Sequence, residues 1–109
     1  MSQRGHLVTI ALQGDFGKPR PALVIQSDFF ETHPSVTVLP VTSDLRDTPL
    51  FRVPIEPSPS TGLNKPSQVM VDKAMTITRD KLGAAFGQVD DATMLEIERC
   101  LAVFLGIAK

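Results

Sequence analysis

The feature that most constrains this fold is a series of short apolar segments, followed by one last segment whose apolar residues recur at helical spacing. Four segments alternate with a two-residue period or are rich in β-branched residues, and they predict strands at 6–12, 21–27, 35–42 and 67–77. Two weaker strands are predicted at 51–55 and near Ala85. The stretch from Glu56 to Pro66 is rich in Pro, Ser and Gly, which predicts a loop.

The last segment predicts an α-helix. Asp90 suits the N-cap position, and Asp91 lies in the first turn, where its charge suits the helix dipole. Apolar residues at helical spacing form one stripe, which consists of Met94, Ile97, Leu101, Phe104 and Leu105. Gly106 marks the end of this helix, and Thr78 is predicted to cap a single helical turn over 78–81. Five or six strands and one helix predict a mostly-β fold, a small barrel or strongly curved sheet with the helix packed against it.

Length and composition are those of one ordinary globular domain. The chain has 109 residues, of which 42% are hydrophobic and 21% are charged, so we expect a single domain over 1–109. No apolar run approaches the roughly 18 residues of a membrane span. Residues 1–16 lack the long apolar core and the small-residue cleavage site of a signal peptide. Cys100 has no second cysteine to pair with. We therefore expect a cytoplasmic protein without a membrane partner.

The formal net charge of −1 is not typical of a nucleic-acid-binding protein. The first 89 residues contain 9 Lys and Arg against 8 Asp and Glu, whereas the last 20 contain 2 against 4. Any contact with RNA would therefore use a local basic groove rather than a field of the whole protein.

Residue counts and spacing exclude several kinds of catalytic site. A zinc site needs clustered Cys and His ligands, and here His6 and His33 lie far from each other and from Cys100. The GDFG stretch lacks the Lys-Ser/Thr of a phosphate-binding loop. No Ser lies in a G-x-S-x-G turn. We expect neither a metal nor a cofactor.

Polar residues concentrate in the loop between the first two predicted strands. Asp15, Lys18 and Arg20 fall within six positions, and Pro19 and Pro21 restrict the backbone on both sides of the arginine. Taken alone, Arg20 fits an anion-binding group or a surface ion pair with Asp15 equally well.

Two further polar pairs interrupt or follow apolar strands. Thr42 and Ser43 end the third strand, and Asp72 and Lys73 interrupt the apolar segment 67–77. Because loops at strand ends on a rigid sheet commonly carry function, we interpret these side chains as anion-binding and proton-handling groups that need no metal.

Five features resemble the MazF/PemK family of toxins from toxin–antitoxin systems, in order and spacing over 4–107. They are RGHLVTIAL, KPRPALVIQSD, VLPVTSD, GLNKPSQVMVDKAMTI and the closing helix. The resemblance implies an SH3-like, CcdB-like β-barrel with a C-terminal helix, and a homodimer. It also implies metal-independent, sequence-selective cleavage of single-stranded mRNA, and a cognate antitoxin that blocks the RNA groove.

The resemblance assigns catalytic roles to three residues. Arg20 matches the arginine of the family's R-P motif, Thr42 matches its threonine after Pro-x, and Asp72 matches the acidic residue of its D-Q pattern. Asp15 lies where family members often have Glu or His. Lys73 replaces the usual glutamine of the D-Q pattern.

The remaining candidates are expected to contact RNA. They are Asp15, Lys18, Ser43, Phe51 and Lys73. Phe51 fits base stacking or the apolar core equally well. Met70 stands where some family members have an arginine, which is a further departure from the family pattern.

In a metal-free ribonuclease the substrate's 2′-OH attacks the phosphate and leaves 2′,3′-cyclic phosphate and 5′-OH ends. Arg20 suits charge stabilisation because its planar guanidinium can bind two phosphate oxygens and stays protonated. Thr42 can donate a further hydrogen bond. Either Asp72 or Asp15 is expected to be the general base.

Two alternatives stay open at the level of the sequence. A CcdB-like poison of DNA gyrase would share this barrel, although Gly106–Ile107 lack the tryptophan that precedes them in that motif. A non-catalytic RNA-binding member of the same fold is the second alternative.

Overall fold

The computed structural model describes residues 3–11 and 18–108. Along this part of the chain, strands lie at β1 (His6–Ala11), β2 (Pro19–Val24), β3 (Ser35–Thr42), β4 (Arg52–Ile55), β5 (Ser67–Met70), β6 (Met75–Thr78) and β7 (Leu82–Gln88), followed by the helix α1 (Asp91–Phe104). Single 3₁₀ turns lie at Asp28–Phe30, Val71–Lys73 and Arg79–Lys81. None of the described helices is long and apolar enough to cross a membrane.

Most predicted strands are confirmed. β3 has the predicted bounds, β4 and β7 confirm the two weaker strands, and β2 begins two residues earlier and ends three residues earlier than predicted. The helical turn after Thr78 is also confirmed. Thr78 occupies the predicted N-cap position, but its hydroxyl donates to the Asp80 carboxylate and makes no capping bond with a backbone N–H.

The single strand predicted at 67–77 is wrong. The structure breaks it into β5, the 3₁₀ turn Val71–Lys73 and β6. Val69 and Val71 face one apolar cluster, whereas Met75 and Ile77 pack against another. A continuous strand keeps alternate residues on one face, so a turn is needed to move the apolar side chains to the second face.

The strands form one antiparallel sheet in the order β4-β5-β3-β2-β1-β7. β3 is the central strand: Ser35–Val38 pairs with β6, while Val41 and Thr42 pair with β5. The mostly-β class with a C-terminal helix is therefore confirmed, and the hydrogen-bonded path through the described strands is open rather than a closed ring.

The central strands bury both faces. Leu7, Leu23 and Leu39 belong to a first apolar cluster that includes Met94 and Ile97 of α1. Their neighbours along the strands form a second cluster with Met75, Ile77 and Leu82, and these neighbours are Val8, Ile10, Ala22, Val24, Val36 and Val38. Full burial of each such side chain stabilises the fold by about 1.5–3 kcal/mol. Strands buried on both faces fix the backbone that carries the polar residues at their ends.

The helix follows the sequence prediction at its start and departs from it at its end. Asp90 is the N-cap, and its side chain accepts a hydrogen bond from the backbone N–H of Thr93 at 2.8 Å. Hydrogen bonds from the Thr93 side chain and backbone lower the pKa of this carboxyl. Gly106 ends the helix with φ of 77°. Phe104 and Leu105, which were predicted to complete the buried stripe, are 51% and 57% exposed.

Candidate active site

Arg20 and Thr42 lie at the same end of neighbouring strands. β2 pairs with β3 through Ala22–Pro40, Leu23–Leu39 and Val24–Val38. Arg20 at the start of β2 and Thr42 at the end of β3 each lie two residues beyond the Ala22–Pro40 pair, at the same end of the two strands. Both side chains lie on the face of the second apolar cluster, because side-chain direction alternates along each strand.

This end of the sheet is accessible to a ligand. Arg20 is exposed and Thr42 is half-buried, and Lys18 and Ser43 beside them are both exposed. The structure therefore brings four of the predicted site residues to one edge. Asp15, predicted in the loop before Lys18, lies outside the described residues.

The Thr42 hydroxyl is oriented by the backbone that follows it. Thr42 Oγ1 accepts a hydrogen bond from the Asp44 N–H at 3.0 Å. Because one lone pair of the oxygen is occupied in this way, the hydroxyl hydrogen is free to donate in another direction. This arrangement suits a donor to an anionic oxygen placed above the strand end.

Sequence reasoning missed two residues that hold the segment after Thr42. Gln68 lies directly opposite Thr42 in β5, and its side-chain amide contacts the backbone of Arg46. Arg52 of β4 donates to Gln68 Oε1 at 2.9 Å and to the Asp44 carbonyl at 2.8 Å. The sequence marks Gln68 and Arg52 as polar residues in short strands, but no local pattern links them to the site.

Asp72, Lys73 and Phe51 form a second group, beyond the other end of β5. Asp72 lies in the 3₁₀ turn, four residues past Gln68, with its side chain 22% exposed. Lys73 Nζ is 3.7 Å from Asp72 Oδ2. Phe51 is half-buried, and its carbonyl accepts from the Val71 N–H at 2.9 Å. The site predicted from the sequence is thus spread over two neighbouring groups.

One oxygen of Asp72, Oδ1, is buried and has no hydrogen-bond partner among the residues that the structure describes. Leaving a buried acceptor unsatisfied costs about 1–3 kcal/mol, and such strain is often retained at functional sites. Within 3–11 and 18–108, no three His, Cys, Asp or Glu side chains are grouped so that they could hold a metal ion.

Comparison with known proteins decides the family. Residues 3–105 match the family described as PemK-like, MazF-like toxin of type II toxin–antitoxin system. The chain belongs to this toxin family. A curated member, the "Probable endoribonuclease MazF" of Mycolicibacterium smegmatis, is 46% identical to this chain over 107 residues. That match covers 97% of this chain and 98% of the relative.

Solved structures of MazF toxins have the same fold. An endoribonuclease in complex with its cognate antitoxin from Mycobacterial species matches with a TM-score of 0.82 and 26% identity, over 100% of this chain and 99% of that chain. The Mycobacterium tuberculosis toxin MazF-mt6 matches with a TM-score of 0.81 and 25% identity, over 95% and 99%. The family and fold implied by the sequence resemblance are confirmed.

Proposed function

We propose that this toxin is an endoribonuclease that cleaves single-stranded mRNA at selected sequences without a metal ion. The observation that carries the proposal is the position of Arg20 and Thr42 at one accessible edge of the sheet. A relative 46% identical over nearly the whole chain is named as a probable endoribonuclease, which supports RNA cleavage over gyrase poisoning. The single domain acts in the cytoplasm, where mRNA is available.

The reaction uses the nucleophile of the substrate. The ribose 2′-oxygen attacks the adjacent phosphorus, the bond from phosphorus to the 5′-oxygen breaks, and the products are a 2′,3′-cyclic phosphate and a 5′-OH. Arg20 holds two non-bridging oxygens through its planar fork and offsets the extra negative charge. Thr42 donates its hydroxyl hydrogen to the same phosphate, since its oxygen already accepts from the Asp44 N–H.

The 2′-OH proton goes to a carboxylate, and the departing 5′-oxygen takes a proton from solvent water. Asp72 is one candidate base, and its side chain, which is 22% exposed, lies in the second group past the end of β5. Asp15 is the other candidate. Removing the charge of each carboxylate in turn distinguishes them.

The RNA strand runs from the first polar group to the second. Lys18 and Ser43 contact it beside Arg20 and Thr42, Asp15 contacts it from the preceding loop, and Lys73 contacts it beside Asp72. Phe51 belongs to the second group, and its half-buried side chain stacks on a base. The local positive charge of Lys18, Arg20 and Lys73 compensates for the slightly negative protein as a whole.

Protein partners complete this function. The family is defined by its pairing with an antitoxin, and we propose a cognate antitoxin and a second copy of this chain as partners. Apolar side chains at the end of α1 support this, because Val103, Phe104, Leu105 and Ile107 are each more than half exposed. Exposed apolar patches of this kind commonly mark protein contacts.

Substituting Arg20 tests the proposal. Arg20→Ala in EDTA is expected to lose at least about 1000-fold in cleavage rate, because a preorganised charge donor is removed. The melting temperature is expected to change little, because Arg20 is exposed. RNA cleavage is followed on a gel.

The matched control is Arg99→Ala, in an exposed helical arginine 4.0 Å from Glu96, which is expected to cleave like the unmodified chain. Normal cleavage by Arg20→Ala, or a requirement of the unmodified chain for Mg²⁺, would overturn the proposal.

A further inference from the structure

The side-chain amide of Gln68 binds the backbone of Arg46 as a neighbouring strand would. Its Oε1 accepts from the Arg46 N–H at 3.0 Å, and its Nε2 donates to the Arg46 carbonyl at 2.9 Å. One side chain thus satisfies both backbone groups of a residue in the segment that follows β3. This geometry fixes the segment over the outer face of β5.

Arg52 joins this amide to the residue next to the site. Its Nη1 contacts Gln68 Oε1 at 2.9 Å and the Asp44 carbonyl at 2.8 Å. Arg52 and Gln68 are both half-buried, on adjacent strands β4 and β5. A hydrogen bond from a charged donor is stronger than a neutral one, so the guanidinium holds Asp44 firmly.

The contacts end at Thr42. Arg52 contacts the carbonyl of Asp44, and the N–H of the same Asp44 donates to Thr42 Oγ1 at 3.0 Å. Thr42 also lies directly opposite Gln68 in the sheet. The direction of the Thr42 hydroxyl therefore depends on a continuous set of hydrogen bonds from β4 and β5.

We propose that Gln68 and Arg52 are positioning residues for the Thr42 hydroxyl in RNA cleavage. They hold Asp44 so that its N–H occupies one lone pair of Thr42 Oγ1 and directs the hydroxyl hydrogen at the scissile phosphate. This proposal rests on the role of Thr42 in the proposed function. Without Gln68 and Arg52, the Asp44 N–H no longer bonds Thr42 Oγ1, and the hydroxyl rotates away from the phosphate.

The chain offers a matched control for the loss of hydrogen bonds. Gln26 makes an equivalent set of three contacts, with Nε2 donating to the Phe30 and Ser35 carbonyls and Oε1 accepting from the Thr37 N–H. These contacts lie at the start of β3, whereas Thr42 is its last residue. Removing either glutamine therefore removes three hydrogen bonds, of which two at Gln68 and all three at Gln26 are to backbone groups. The removal at Gln26 is remote from Arg20 and Thr42.

The first experiment compares Gln68→Ala with Gln26→Ala in single-turnover cleavage of an RNA oligonucleotide. Misplacement of a reacting group costs up to roughly 100-fold, so Gln68→Ala is expected to lose about 10- to 100-fold in the maximal rate. The RNA concentration for half-maximal rate should change little. Gln26→Ala should keep the maximal rate even if it lowers the melting temperature as much. Equal rate losses in the two variants would overturn the proposal.

A double-mutant cycle with Thr42→Val separates positioning from a general structural effect. Once the hydroxyl is absent, Gln68→Ala should cause no further loss of rate. Rate losses that multiply in the double variant would overturn the positioning role while leaving Thr42 as a donor. A Thr42→Val variant that cleaves normally would instead overturn the assigned role of Thr42 in the proposed function, and the positioning role with it.

Two conservative variants keep the test independent of folding. Gln68→Glu retains the acceptor for Arg46 and Arg52 but cannot donate to the Arg46 carbonyl, so it should cleave at a rate between those of the unmodified chain and Gln68→Ala. Arg52→Lys keeps the charge, but its ammonium lies one bond nearer the backbone than the Nη1 that contacts both acceptors, and it should resemble Gln68→Ala. Wild-type rates in both folded variants would contradict the proposal.

Discussion

At the scale of single residues, the two carboxylate oxygens of Asp72 have different surroundings. Its Oδ1 is buried without a partner among the described residues, and the neighbouring Lys73 lies 3.7 Å from the other oxygen, at an exposed position. An exposed ion pair of this kind contributes little. A weak ion pair leaves room for the proposed role of Asp72 in proton transfer.

The Asp72→Asn variant is expected to separate a role of Asp72 in catalysis from a contribution to stability. Removing the charge relieves part of the desolvation cost, so the melting temperature should stay the same or rise. Removing a general base should lower the cleavage rate by about 100- to 10,000-fold. Calorimetry and a cleavage assay on the same sample measure both effects.

Asp15→Asn is the matched control for this prediction. If Asp72 is the base, Asp15→Asn should retain most of the cleavage rate. The reverse pattern, full activity in Asp72→Asn and loss in Asp15→Asn, would assign the base to the loop before β2.

The catalytic candidates were within reach of the sequence, but the residues that hold them were not. Two prolines around Arg20 and a polar pair after Pro40 mark positions in a local pattern. The roles of Gln68 and Arg52 depend on the register that sets Thr42 opposite Gln68 and brings β4 alongside. Strand register follows from packing across the whole sheet, so residue spacing alone does not reveal these contacts.

At the scale of elements, the break between β5 and β6 shows where local patterns stop being informative. Apolar residues occupy alternate positions from 67 to 77, as in a single strand. In the structure, however, the first half packs in one apolar cluster and the second half packs against the other. The signal was the polar pair Asp72–Lys73, which occupies the 3₁₀ turn. A local pattern cannot distinguish a surface pair in one strand from a turn between two.

The helix start predicts a pH dependence of stability. Hydrogen bonds from the Thr93 side chain and backbone N–H lower the pKa of Asp90. A carboxyl with a lowered folded-state pKa stabilises the fold above its unfolded-state pKa, and this contribution is lost as pH falls through the folded-state pKa. Asp90→Asn keeps a capping oxygen but removes the charge.

We therefore expect the unmodified chain to melt at a higher temperature than Asp90→Asn at neutral pH. This difference should shrink as pH falls below about 4, near the ordinary pKa of aspartate. Melting curves between pH 7 and pH 2 measure it. A difference that stays constant over this range would contradict the assigned cause.

At the scale of the whole molecule, strands that bury apolar side chains on both faces support the polar residues at their ends. β1, β2 and β3 bury side chains on both faces, so the ends of β2 and β3 are held rigidly while Arg20 stays exposed. Catalysis by charge stabilisation depends on groups that are placed in advance. A weakly charged protein can act on RNA in this way because only one edge needs to be basic.

The direct measurement of the central claim is the chemistry of the RNA ends. A long RNA is digested in EDTA, the cut sites are mapped, and the termini are identified. We expect cuts at one short recurring sequence, with 5′-OH and 2′,3′-cyclic phosphate ends. Ends carrying 5′-phosphate and 3′-OH, or cleavage that appears only when Mg²⁺ is added, would contradict it.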